Sequence, residues 1–286
     1  MGPGLFSDIG KKAKDLLTND YINDQKITIS SETATGVAVT SSALKKGGLY
    51  ALHVGSCFKY KKSIIDVKVD TDSNISSTIA FTDLLPSTKA IATLTLPDYN
   101  SAKMEVQYFH DHGSLASVVG FKQNPIVDLS ATVGAHGFAF GAEVGFDTAA
   151  GNCNKYSAAI GLTKPDYNVS FILGDKGDTL RVLYVHYLDE KQKSAVGGEV
   201  SRRFSTNENT VTVGGAYALD ELTRVKTRLN NAGKLGALLQ HELNPGSVLT
   251  ISGTSCKGCS VAYVDIIYVL TCHATLSSTF KLSTLP

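Results

Sequence analysis

Several clusters carry residue types that do chemistry elsewhere. Cys256-Lys257-Gly258-Cys259 has the spacing of a zinc-binding pair, with Cys272-His273 downstream. A structural zinc site needs four ordered ligands, and the bland reading, ordinary thiols, is favoured. Gly134, Gly137, Gly141 and Gly145 do not follow a dinucleotide fingerprint and have no strand-to-helix context. They read as glycines that ease curvature in strands. Gly174-Asp175-Lys176-Gly177 lacks the Lys-Ser/Thr ending of a phosphate loop and reads as a hairpin turn. The 7 His and the scattered Asp and Glu form no catalytic cluster, so no enzyme and no cofactor is expected. What remains is charge at regular spacing: Lys11, Lys12 and Lys14 near the start, and Arg224, Lys226 and Arg228 at every second position.

Two kinds of element must position these charges. From Gly4 to Thr18 the apolar residues Phe6, Ile9, Ala13, Leu16 and Leu17 recur at helical spacing, opposite Ser7, Asp8, Lys11, Lys12, Lys14 and Asp15. This predicts a short amphipathic helix. From Lys26 onward, segments of about 8–11 residues alternate with turn signals such as Asp72-Ser73-Asn74, Lys164-Pro165-Asp166 and Asn244-Pro245-Gly246. About eighteen such segments precede residue 254, the spacing of an up-and-down antiparallel meander.

Within the segments, polarity alternates. Ile65, Val67 and Val69 oppose Asp66, Lys68 and Asp70, and Ala102, Met104, Val106 and Tyr108 oppose Lys103, Glu105 and Gln107. Tyr167, Val169, Phe171 and Leu173 oppose Asn168, Ser170 and Ile172, and Thr223, Val225, Thr227 and Leu229 oppose Leu222, Arg224, Lys226 and Arg228. A period of two makes one sheet face apolar and the other polar. A soluble sandwich or small barrel turns the apolar face inward, whereas a transmembrane barrel turns it out into lipid. Strand number decides between them. A barrel of about eighteen strands encloses a lumen too wide for side chains to fill, so its interior is wet and polar. In water its apolar exterior would far exceed the roughly 300–600 Å² patch that soluble proteins tolerate.

Composition agrees. The 286 residues carry a net charge of +1, so the molecule as a whole is no magnet for nucleic acid. No apolar run is long enough for a transmembrane helix, and the N-terminus lacks the apolar core of a secretory signal. Five cysteines, an odd and mostly scattered set, argue against a disulfide framework.

Several stretches resemble plant voltage-dependent anion channels, the porins of the mitochondrial outer membrane. The opening Gly4-Leu5-Phe6-Ser7-Asp8-Ile9-Gly10-Lys11-Lys12-Ala13-Lys14-Asp15-Leu16-Leu17 is similar to their N-terminal helix. Val67 to Asp72 and Ala102 to His110 resemble family strands. The most specific match runs from Tyr217-Ala218-Leu219-Asp220 through Thr227-Arg228-Leu229-Asn230-Asn231 to Gly236-Ala237, with Glu221 in place of the usual small residue or Asp. The resemblance spans residues 4–254.

It implies an all-β transmembrane barrel, of nineteen strands in that family. Residues 1–24 would hold a pore-lining helix, 25–271 the barrel and 272–286 a divergent tail. It implies a voltage-gated, anion-preferring pore in the mitochondrial outer membrane, passing ATP, ADP, phosphate and small ions. In that reading Lys11, Lys12, Lys14, Lys68, Lys103, Arg224, Lys226 and Arg228 line the pore and raise the local anion concentration. The implied partners are the lipid bilayer, anionic metabolites and nucleotides, a homo-oligomer and cytosolic kinases, with no nucleic acid. Asn19 stands where animal relatives carry a second lysine implicated with nucleotides, so only Lys11 carries that expectation over. Tyr21-Ile22-Asn23-Asp24 replaces their glycine-rich hinge, and Val67 falls near their lipid-facing glutamate. After Gly253 the resemblance stops, and Val261 to Thr271, with Ala262, Val264, Ile266, Tyr268 and Leu270 on one face, is the candidate closing strand. Two alternatives follow: a poorly conducting or poorly inserting variant of the barrel, or a protein-translocation barrel of the same fold.

Overall fold

A computed structural model describes residues 2–19, 21, 25–33, 37–46, 49–82, 85–244, 247–256 and 263–272. The chain begins with a 3-10 turn at Phe6–Asp8 and a helix, α1, at Lys11–Thr18. A sheet follows: β1 (Gln25–Glu32), β2 (Val37–Lys46), β3 (Leu49–Tyr60), β4 (Ser63–Asp70), β5 (Ile75–Thr82), β6 (Thr88–Leu96) and β7 (Lys103–His110). It continues through β8 (Gly113–Gly120), β9 (Ile126–Ala135), β10 (Phe138–Asp147), β11 (Asn152–Thr163), β12 (Tyr167–Gly174) and β13 (Thr179–Tyr187). The last strands are β14 (Ala195–Arg203), β15 (Glu208–Ala218), β16 (Thr223–Asn230), β17 (Lys234–Asn244), β18 (Ser247–Cys256) and β19 (Tyr263–Cys272). No helix among the described residues is long and apolar enough to cross a membrane, which says nothing against crossing by strands.

All nineteen strands belong to one sheet, and each pairs antiparallel with its sequence neighbours. β1 also pairs with β19, in parallel, from Lys26 opposite Ile267 to Ser31 opposite Cys272. The parallel seam follows from counting. An up-and-down chain with an odd number of strands brings its first and last strands together running the same way. Closure removes both edges, which in lipid would leave unpaired N–H and C=O groups costing several kcal/mol each. The expected closing strand, 261–271, corresponds to Tyr263–Cys272, which starts two residues later and ends one later, and Val261 and Ala262 fall outside the described residues.

Register carries the alternation around the wall. Phe171 pairs with Val182, Val182 with Val200 and Val200 with Val211. One residue away, Ile172 pairs with Arg181, Arg181 with Ser201 and Ser201 with Thr210. The first row faces out: Phe171 is 48% exposed and Val200 47%. Exposed large apolar side chains recur along the outer face from Ile27 to Leu243. Fully buried polar side chains, Ser114, Thr132, Ser170 and Ser252, belong to the opposite face. This is the inverse of a soluble protein.

Two expectations are corrected here. The helix does not run unbroken from Gly4 to Thr18. Gly10 takes a left-handed conformation (φ 78°) and caps α1, whose first bond runs from the N–H of Lys14 to the carbonyl of Gly10. Glycine adopts that conformation without steric cost, so the chain turns there. Gly137 lies in the β9–β10 turn (φ 89°) after His136 (φ 55°), not in a strand. Gly145 sits where the β10–β11 register shifts, and a Cβ there would lie 2.4 Å from Asn154 Oδ1.

One rim is stitched by a carboxylate. Asp178, beyond the end of β12, accepts from the backbone N–H (2.7 Å) and Oγ (2.6 Å) of Ser205 in the β14–β15 turn, with Arg203 Nε at 3.6 Å. The Ser205 hydroxyl and, more weakly, its amide and Arg203 hold this carboxyl below its ordinary 3.8. Because the folded value is depressed, the stitch is complete above the ordinary range and lost as pH falls through the folded value. Carboxyl-carbon NMR of the folded protein should show Asp178 titrating below 3.8, and Ser205→Ala should move the midpoint up toward 3.8. Closure has its own test. A chain ended after Cys256 lacks β19 and leaves β1 and β18 with open edges, so it should fail to become protease-resistant in liposomes under conditions where the full chain does. Equal insertion by both would show that β19 is not the closure.

Candidate functional site

Inside the barrel, the N-terminal segment lies against the wall. Its seat is built from small inward positions. A Cβ at Gly141 would stand 2.7 Å from the Phe6 ring and 3.0 Å from Ile9 Cδ1; one at Gly161 would stand 3.2 Å from Ile9 Cγ2. A Cβ at Gly197 would come within 3.0 Å of Leu16, and one at Gly214 within 2.8 Å of Leu17. Gly134 likewise lies beside Pro3. β9, β10, β11, β14 and β15 thus lack side chains where the segment crosses them. Gly134 and Gly141 serve this close approach, more than the strand curvature expected of them.

α1 fills the seat with its apolar face. Ala13 is fully buried and Leu16 nearly so, packed with Leu183, Val185, Ala195 and Ala216, and Leu17 is fully buried beside Gly214. These apolar side chains are inward exceptions on a polar wall. Burying Leu16 and Leu17 contributes about 1.5–3 kcal/mol each. The ends are tied by polar contacts. Ser114 Oγ donates to the carbonyl of Gly4 at 2.7 Å. Arg228 Nη1 donates to the carbonyl of Leu17 at 3.0 Å, and its guanidinium lies 4.2 Å from the centre of the Tyr21 ring. A cation at the helix C-terminus also meets the negative end of the helix dipole.

The expected pore residues therefore fall into different environments. Lys11 and Lys14 are exposed on α1, Lys11 with Asp8 at 3.8 Å. Together with Arg181 they border a cavity of about 760 Å³ between α1 and β12–β15, where Asp15 and Glu199 are the carboxylates. Lys12, 5.6 Å from the Tyr187 ring centre, borders a second cavity of about 250 Å³ with Arg224 and Lys226. Lys226 is only 6% exposed. Arg224 is half-buried and donates to the carbonyl of Lys193 at 3.0 Å. Arg224, Lys226 and Arg228 are thus not three equally open charges, because the helix lies over them. Lys68, 3.4 Å from Asp66, and Lys103 sit on β4 and β7 and border neither cavity.

Sequence reasoning missed Arg181, Tyr187 and the glycine seats. Arg181 is legible as an inward position of the alternating run Thr179 to Tyr187. The seats carry only a weak signal, glycine at inward positions of strands. The side chains of Cys256 and Cys272, like Cys259 itself, lie outside what the structure describes, and no metal-binding group occurs among the described residues.

A closed barrel with an apolar exterior and a polar lumen has the architecture of a membrane pore, and the comparisons with known proteins point to a pore as well. Residues 2–255 match the eukaryotic porin family. The chain is a eukaryotic porin. It is 63% identical over 252 residues to mitochondrial outer membrane protein porin 5 of Oryza sativa, covering 88% of this chain and 91% of that one. Mitochondrial outer membrane protein porin 2 of Arabidopsis thaliana is 58% identical over 251 residues, with the same coverage of both chains. The outer plastidial membrane protein porin of Pisum sativum is 47% identical over 251 residues, again at 88% and 91% coverage. This porin is a pore-forming β-barrel of the mitochondrial outer membrane. The family match ends at residue 255, so β19 lies beyond it.

The seat makes a direct prediction. Gly141→Val drives a side chain into Phe6 and Ile9, with no wall backbone among its nearest atoms, and should lift the N-terminal segment while leaving the barrel's β-type circular dichroism intact. Forfeiting about 1.5–3 kcal/mol of burial should speed tryptic cleavage after Lys11 and Lys14 by about tenfold or more, since each 1.4 kcal/mol is a factor of ten. Wild-type cleavage rates would remove Gly141 from the seat.

Proposed function

We propose that this porin is a voltage-gated channel that prefers anions and passes small metabolites such as ATP, ADP and phosphate together with small ions. The observation that carries the reading is the concentration of cations where the helix meets the wall. Lys11, Lys12 and Lys14 on α1 stand near Arg181, Arg224 and Lys226 on the facing strands, and the described carboxylates bordering the two cavities there are Asp15 and Glu199. A cationic lining in a water-filled passage raises local anion concentration. A wide, wet lumen imposes little size selection on metabolites.

Voltage dependence follows if charge moves through the field. Each elementary charge crossing the full field contributes about 2.3 kcal/mol per 100 mV. α1 and its preceding turn carry three lysines against Asp8 and Asp15, so a displaced N-terminal segment moves net positive charge.

Planar-bilayer recording of the refolded protein tests the reading. Wild type should show stepwise conductance, closure at both polarities and a reversal potential of anionic sign in a KCl gradient. Lys11→Glu with Lys14→Glu changes exposed charges that take no part in the helix seat, so it should shift the reversal potential toward cation preference with insertion intact. A silent wild-type protein, or cation preference in its open state, would sink the proposal. An unchanged potential in the double variant would remove these lysines from selectivity.

A further inference from the structure

We propose that Ser205, at the tip of the β14–β15 hairpin, is a phosphorylation site for a protein kinase selective for arginine-rich substrates, and that the modification opens the rim stitch. The sequence there is Arg202-Arg203-Phe204-Ser205-Thr206, which holds the one Arg-Arg pair of the chain. Guanidiniums two and three residues before a serine suit a kinase whose substrate groove carries carboxylates, because each pairs through charge-assisted hydrogen bonds. Thr206 has only one arginine at those two distances, and its Oγ1 donates to Glu208 Oε2 at 3.1 Å.

The fold presents this segment at the surface. Every residue from Arg202 to Asn209 is exposed, and Arg203 opposite Glu208 is the last pair of the β14–β15 ladder. Arg202 Nη2 donates to Asn207 Oδ1 at 3.0 Å, and its guanidinium lies 5.8 Å from the Phe204 ring centre. These are surface contacts, so entering a kinase cleft frays one hairpin end and disturbs no buried apolar side chain. What restrains the hydroxyl is Asp178. Its backbone carbonyl accepts from the N–H of Phe204 at 2.8 Å, and its carboxylate accepts from the N–H and Oγ of Ser205.

In the transfer, Ser205 Oγ attacks the γ-phosphorus of magnesium-bound ATP. The bond from that phosphorus to the bridging β-phosphate oxygen breaks, ADP leaves, and the kinase's catalytic aspartate takes the hydroxyl proton. A donor has then become an acceptor carrying a charge of about −1.5 to −2. The Asp178 carboxylate loses its O–H partner and faces a like charge instead. Arg203, whose Nε lies 3.6 Å from Asp178, and Arg202 are cations of the same segment, and the phosphate competes with the carboxylate for them. The β12–β13 turn thereby loses its tie to the β14–β15 turn.

The test uses the refolded full-length porin in detergent micelles, magnesium ATP and the catalytic subunit of cAMP-dependent protein kinase, which selects Arg-Arg-X-Ser. Peptide mass spectrometry should place phosphate on Ser205. Arg202→Gln with Arg203→Gln should slow the labelling by about tenfold or more, the effect of losing one hydrogen bond between charged groups. Asp178→Ala frees the hydroxyl and should speed it by about two- to tenfold, the effect of one neutral hydrogen bond. Should the double variant fail to regain β-type circular dichroism, Arg202→Gln alone carries the comparison. An unlabelled Ser205 in the folded porin, labelling only after heat denaturation, phosphate on Thr206 instead, or an undiminished rate without the arginines would each overturn the site. The stitch is read separately by carboxyl-carbon NMR. Asp178 should titrate at higher pH in the phosphorylated protein than in the unmodified one, and an unmoved midpoint would overturn the opening.

Discussion

Backbone hydrogen bonding in a solvent that offers none is the constraint from which the rest of this structure follows. Lipid cannot satisfy a strand edge, so the sheet must close, and β1 meets β19 in parallel because nineteen strands leave the ends pointing the same way. Closure at this strand number fixes a lumen wider than side chains can fill. The inner face must then be polar and the outer face apolar, which inverts the usual burial and leaves Phe140, Phe171 and Val213 exposed and Ser170 and Thr132 buried. A wide polar tube offers nowhere to pack an amphipathic helix. The N-terminal segment therefore needs a special patch, and Leu183, Val185, Ala195, Ala216 and the neighbouring glycines are that patch.

How much of this the sequence revealed depends on the range of the interaction. Alternation is local, so the two faces of β12 and β16 could be read from a few residues each. Arg224, Lys226 and Arg228 were assignable to one face because a side-chain period of two leaves no other choice. The closing strand was also legible, its bounds off by one or two residues, because its apolar alternation survives in a segment that no longer resembles its family. The helix break at Gly10 was less so. The apolar spacing of Phe6, Ile9 and Ala13 runs straight through it, and the left-handed turn becomes evident only where the segment must follow the wall past Leu183 and Ser170. The glycine seats were least visible, since each depends on a contact between residues far apart in the chain, such as Gly214 with Leu17. A strand glycine looks the same in sequence whether it bends a sheet or makes room for a helix.

The basic residues show why a face is not yet a role. Arg228 lies on the predicted lumen side, yet its guanidinium is engaged by the carbonyl of Leu17 and the ring of Tyr21. Its described contacts are with the segment that it holds against the wall. Lys11 and Lys14 have no comparable packing duty, and the water of the lumen sees them directly. Wall charges and helix charges therefore differ in kind: the first are fixed by the barrel, and the second go wherever the helix goes.

That difference couples two properties that could have been separate. The cations near the joint come from α1 and from β13 and β16 of the wall, so the local potential depends on whether helix and wall are together. A seated helix adds its lysines to those of the wall and strengthens the field that an entering anion meets. A lifted helix takes its lysines away and uncovers Arg224 and Lys226, now exposed to water and to counterions. The displaced segment also forfeits the burial of Leu16 and Leu17, an apolar cost that any force lifting the helix must overcome. In the proposed function, conductance, selectivity and voltage response thus share one element, and the strength of its seat, set by glycines and by one arginine, is the quantity on which all three would depend.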